Sequence, residues 1–132
     1  MKLKAAFLAD AANISKEGKV NILGIFENIY AKEAPFAMPC TLLIMVESDP
    51  MDRGANYPVE VNLVDEDGME EMAYKGMELH LPENTGYQTT SGNIIVSFAP
   101  CVFKKFGIHR FDITVNGELL GGALLNVLPA LR

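Results

Sequence analysis

A chain of 132 residues and 14.4 kDa is one domain's worth, and surface scaling has it bury about two-thirds of its surface, enough for a core without disulfide staples. Hydrophobic residues make up 49% and charged residues 21%, which excludes an intrinsically disordered chain. A net charge of −6 with no Lys/Arg cluster excludes a nucleic-acid footprint, because neutralising phosphates needs basic residues.

Short apolar runs separated by turn chemistry are the signature of an all-β domain, and eight strands are predicted. The first covers 2–12. Lys2 and Lys4 precede only Ala5 to Leu8 before Ala9-Asp10-Ala11, too short an apolar stretch for a signal peptide. Leu3, Phe7 and Ala11 would also line one side of a helix, but strand is the preferred reading. After the turn Lys16-Glu17-Gly18-Lys19 come strands at 19–31 and 40–48. The fourth, 57–65, alternates Tyr57, Val59, Val61 and Leu63 against Pro58, Glu60 and Asn62. The turn Glu66-Asp67-Gly68 leads to strands at 69–79 and 92–99. The seventh, 107–115, sets His109, Phe111, Ile113 and Val115 against Arg110, Asp112 and Thr114. Asn116-Gly117 is the pair a type I′ hairpin turn requires, and it opens the last strand, 118–128, where Gly121-Gly122 predicts a bulge or bend.

Eight such strands imply an antiparallel β-sandwich with immunoglobulin-like or related Greek-key wiring, a closed barrel being the alternative. No repeat or long linker divides residues 1–132, so a single domain is expected. No apolar run approaches the ~18 residues of a membrane span. Two cysteines are too few for a disulfide scaffold and fit a reducing compartment, so a cytoplasmic location is expected.

If consecutive strands are antiparallel, loops 32–39, 66–68 and 100–106 share one end, and 13–18, 49–56, 80–91 and 116–117 share the other. Asp49 and Asp52 are then separated from Asp65, Glu66 and Asp67 by a strand about 26 Å long, too far for one calcium site. Cys40, Cys101 and His109 fall at one end and could serve as zinc ligands or as a nucleophile and base. Each cysteine follows a proline in apolar sequence and no close-spaced ligand pair exists, so buried thiols are the preferred reading and no cofactor is expected. Loop 80–91 carries Asn84, Tyr87, Gln88 and Thr89, residue types that hydrogen-bond and stack on sugars or peptides.

Three strands are apolar on both faces. Residues 40–48 put Leu43 and Met45 on one side and Leu42, Ile44 and Val46 on the other. Residues 19–31 oppose Val20, Ile22, Phe26 and Tyr30 to Leu23, Ile25 and Ile29. Residues 118–128 oppose Leu119, Ala123, Leu125 and Val127 to Leu120, Leu124 and Leu128. One sandwich core covers a single face of each strand, so a second copy is expected over the surplus, with Ile25, Leu42, Ile44 and Val46 as interface residues.

The order of several motifs resembles a family of small bacterial proteins of unknown function. They are Ala9-Asp10, then Gly18-Lys19-Val20-Asn21-Ile22-Leu23-Gly24-Ile25, the apolar third strand, Val61-Asn62-Leu63-Val64-Asp65-Glu66-Asp67-Gly68, and Gly107-Ile108-His109-Arg110-Phe111-Asp112-Ile113-Thr114-Val115-Asn116-Gly117. The resemblance implies a single β-sandwich domain whose first segment is a strand, and it offers no catalytic residues. Where this chain has His109, the family pattern more often has Tyr, which implies a packing position. The expected function is that of a non-enzymatic module working through protein–protein contacts, as a homodimer first, with no nucleic acid and no membrane as partner. The alternative is a small-ligand or carbohydrate binder using loops 49–56 and 80–91. A Cys/His metal or catalytic site is the third possibility.

Overall fold

The computed structural model describes residues 1–52, 54–81 and 90–131. Nine strands occur among them: β1 (Lys2–Ile14), β2 (Val20–Ile25), β3 (Asn28–Ala31), β4 (Phe36–Ser48), β5 (Ala55–Val64), β6 (Glu70–Leu81), β7 (Thr90–Phe103), β8 (Gly107–Val115) and β9 (Glu118–Pro129). They form a four-stranded sheet, β2-β1-β4-β7, and a five-stranded sheet, β3-β9-β8-β5-β6. All pairings are antiparallel except β3 with β9. The non-consecutive neighbours β4–β7 and β5–β8 are the Greek-key feature of immunoglobulin-like sandwiches.

Period-2 alternation fills the space between the sheets. Leu42, Ile44 and Val46 of β4 and Val96 and Phe98 of β7 meet Val59, Val61 and Leu63 of β5 and Phe111 and Ile113 of β8 in one buried cluster. Turn chemistry then sets the hairpins. Asn116 (φ 52°) and Gly117 (φ 81°) take the left-handed conformations that joining β8 to β9 requires. In β9 the register shifts opposite Ile113 and Thr114, leaving Leu120 as the extra residue. The bulge exchanges the two faces, so Leu119 turns outward and Leu120 packs on the core.

Three expectations are corrected. The single strand at 19–31 is two strands in different sheets. Gly24 adopts a left-handed φ of 70°, after which the Phe26 N–H bonds to Leu8 O at 2.9 Å in one sheet and the Asn126 N–H bonds to Glu27 O at 2.9 Å in the other. The chain therefore reverses halfway along the sandwich and returns. This places the 15–19 turn beyond Ile14 and Val20, at the end where β4 starts, not with loop 49–56. Finally, β4 and β7 run through Pro39 and Pro100. Pro39 lies where β4 pairs with β7 alone and at a register shift, so no ladder hydrogen bond is lost on the β1 side.

Candidate functional site

His109 points inward from β8, fully enclosed. Its Nδ1 lies 3.0 Å from Gly107 O, and a carbonyl only accepts, so Nδ1 carries a hydrogen. Nε2 meets Oε1 of Glu71, a side chain nearly as buried, while Oε2 of Glu71 accepts from Lys104 N at 2.5 Å. The Phe103 ring stands edge-on to the imidazole, centroids 5.5 Å apart. This constellation ties β6, the end of β7 and β8 together at the core's edge. Glu71 had drawn no attention in the sequence. A register shift between Leu63 and Val64 skips it, so the ladder does not dictate which side of β6 its carboxylate takes.

Cys40 and Cys101 are free and buried on neighbouring strands, Cys40 opposite Phe98 and Cys101 opposite Met38. Their thiols share a hydrogen bond, which lowers the pKa of Cys40. The same bond, with burial and the charge of Glu71, pushes Cys101 far above the ordinary thiol range. A thiol held so high is a poor nucleophile and a poor metal ligand. Among the described residues no group of three or more His, Cys, Asp or Glu is placed to hold a metal ion, so Cys40, Cys101 and His109 are not assembled as a ligand set.

The acidic loops are likewise occupied by local structure. Asp65 accepts from the N–H groups of Asp67 (2.9 Å) and Met69 (3.0 Å) and pairs with Lys105 at 3.1 Å. Burial pushes its carboxyl up, but the Met69 N–H, Lys105 and the Asp67 N–H outweigh burial and hold its pKa below the usual value. At the opposite end, Asp49 and Asp52 flank the Met1 ammonium at 3.4 and 3.3 Å. The Gly54 N–H bonds to Leu81 O at 2.8 Å, tying the start of β5 to the end of β6 at that end. Asn84, Tyr87, Gln88 and Thr89 lie outside the described residues.

The expected interface residues separate. Leu42, Ile44 and Val46 face the five-stranded sheet and are core, whereas Ile25 is 51% exposed. The parity of β4 is the reason: its outward positions are Leu43 and Met45. Register places Phe7 and Ile95 beside Leu43, Ala5 and Asn93 beside Met45, and Ala9 beside both Thr41 and Ile25. Leu23 pairs with Ala11 further along and is 70% exposed. The outward face of the four-stranded sheet thus carries an apolar band from Leu23 and Ile25 through Phe7, Leu43 and Met45 to Ile95, bordered on β7 by Ser91, Asn93 and Ser97.

Beside it, a groove of about 560 Å³ opens where the chain crosses between the sheets. It is lined by Ala6, Phe7 and Leu8, by Ile25, Phe26 and Glu27, and across from them by Ile108, Gly122, Ala123, Leu124 and Asn126. Phe7 and Ile25 belong to both the groove and the outward face, so the two make one surface.

A model of a family of unknown function, DUF6941, matches residues 4–128. The chain belongs to this family. No curated protein matches it. The DUF6941 match spans both sheets and every strand described above, so it bears on the whole sandwich and singles out no part of it.

Proposed function

We propose that the protein is a non-enzymatic module that acts by contact with other protein chains, a second copy of itself first. The observation that carries this reading is the outward face of the four-stranded sheet, where Phe7, Leu23 and Ile25 remain exposed around Leu43 and Met45. Contiguous apolar patches of several hundred Å² are rare on monomers and mark contact sites. An interface of about 800 Å² per partner would be of standard size. The test is solution mass by light scattering across concentration. The wild-type chain is expected above monomer mass at high micromolar concentration, and Leu23→Glu is expected to lower it. A wild-type mass that stays monomeric throughout would overturn the reading.

A second reading, binding of a small ligand, is favoured by the groove more than by loops 49–56 and 80–91. Its volume falls in the roughly 300–1,000 Å³ range of ligand pockets. A hydrophobic dye would discriminate: groove binding is lost in Leu124→Glu and kept in Leu23→Glu.

A further inference from the structure

Every open sheet exposes strand edges, and an edge is a row of backbone N–H and C=O groups able to pair with another chain. This molecule treats its edges unequally. Where β1 runs beyond β2, from Lys2 to Leu8, its edge carries Lys2 and Lys4, and a register shift between Leu3 and Ala5 falls at Lys4. β2 is six residues long with Gly24 left-handed at φ 70°, and β3 has only four residues. β6 carries Glu70, Lys75 and Glu78, has Gly76 at φ 95°, and shifts register twice against β5. Short length, charge and bulges are the devices by which proteins keep edges from pairing.

β7 has none of them from Thr90 to Phe98; its register shift and its proline come only at Ala99–Pro100. It is the terminal strand of the four-stranded sheet and pairs, among the described residues, with β4 alone. From Thr90 to Phe98 its register against β4 is unbroken. Residues 90–103 contain no charged side chain, and the first proline comes at Pro100. Nine flat residues at about 3.3 Å each make an edge about 30 Å long.

We propose that β7 is the edge through which two copies join, pairing antiparallel about a two-fold axis to make one eight-stranded sheet. This deepens the self-association reading above and rests on it. Charge selects the occupant. Copies with a net charge of −6 repel each other generally, so the uncharged run is where they approach at least cost. Self-pairing also brings no charge opposite its own image. A two-fold axis perpendicular to the sheet leaves both outward apolar faces on the same side, so Phe7, Met45 and Ile95 of the two copies lie on one side of the joined sheet.

The test uses Ser91→Lys/Ser97→Lys. Both serines are exposed on the outward side of β7, so the double variant is expected to keep its circular dichroism spectrum and melting behaviour. Pairing centred on Ile94 sets residue 91 opposite residue 97 of the partner, and like charges there oppose pairing. By light scattering the self-association constant is expected to weaken by about tenfold or more. Ser91→Thr/Ser97→Thr is expected to associate like wild type. In wild type, the amides of residues 91–98 are expected to gain hydrogen-exchange protection with concentration. If the Lys variant associates as wild type does while Leu23→Glu does not, the edge proposal fails and the apolar-face reading stands. A wild-type chain that is monomeric throughout overturns both.

Discussion

The centres of the two sheets present different surfaces to the outside. On the five-stranded sheet the outward side carries ion pairs, Lys75 with Glu60 at 3.3 Å and Arg110 with Asp112, and its exposed apolar groups, Ile108, Leu119 and Leu124, lie on β8 and β9. On the four-stranded sheet the equivalent positions are Phe7, Leu43, Met45 and Ile95. Inward, both sheets carry the same Val, Leu, Ile and Phe alternation. The core therefore does not distinguish the sheets, and what differs is what each offers a neighbour. A sandwich needs only one wet face per sheet to remain soluble as a monomer, so the second apolar face is unexplained by folding alone.

The contrast can be broken at several points. The largest effect is expected from Ile44→Glu, which puts a carboxylate into the closed core. It should cost more than about 4 kcal/mol and unfold the chain in urea titrations. Ile25→Glu, on the outward side of the same sheet, should cost less than about 1 kcal/mol and instead reduce association. Equal effects at the two positions would collapse the assignment of faces. Next in size is Glu71→Ala, which strips His109 Nε2 and Lys104 N of their partner inside the molecule. Removing one member of a buried pair typically costs about 3–5 kcal/mol, read as a fall in the denaturation midpoint.

The smallest effect is acid-dependent. The folded chain holds the Asp65 carboxyl below the 3.8 of an ordinary aspartate. Its contribution is therefore complete above that value and is lost as pH falls through the folded pKa. Asp65→Asn should flatten the acid limb of the stability curve and leave its slope near neutrality unchanged, as thermal melts across pH would show.

Much of this fold was legible because alternation and turn chemistry are local. Val59, Val61 and Leu63, and Phe111 and Ile113, point inward as their period demands, and Asn116-Gly117 turns where expected. The split of 19–31 was not legible. Apolar residues continue on both sides through Phe26, and the bonds that reverse the chain go to Leu8 and Asn126, partners set by tertiary structure. Pro39 and Pro100 read as strand limits, yet each lies inside a strand at the register shift between β4 and β7. The site residues divide the same way. His109 stood out as the polar member of an apolar face, but its partner Glu71 sits at a bulge, where period-2 parity says nothing about direction. The surplus apolar face was visible in residues 40–48, while which half of it was surplus depended on the position of the opposite sheet.

The mid-sandwich crossing has a consequence for how the chain is made. β1 and β2 are close in sequence, so both strands of their hairpin are available once residue 25 has left the ribosome, and in the fold Leu23 and Ile25 turn outward from it. β3 follows only three residues later but has no strand to join until residues 126–129 appear, because its parallel partner is β9. For most of its synthesis the chain therefore carries a short strand with nowhere to dock, beside an apolar hairpin. Closure of the five-stranded sheet at that edge awaits the last strand, so the slowest step of assembly is expected where the beginning of the chain meets its end.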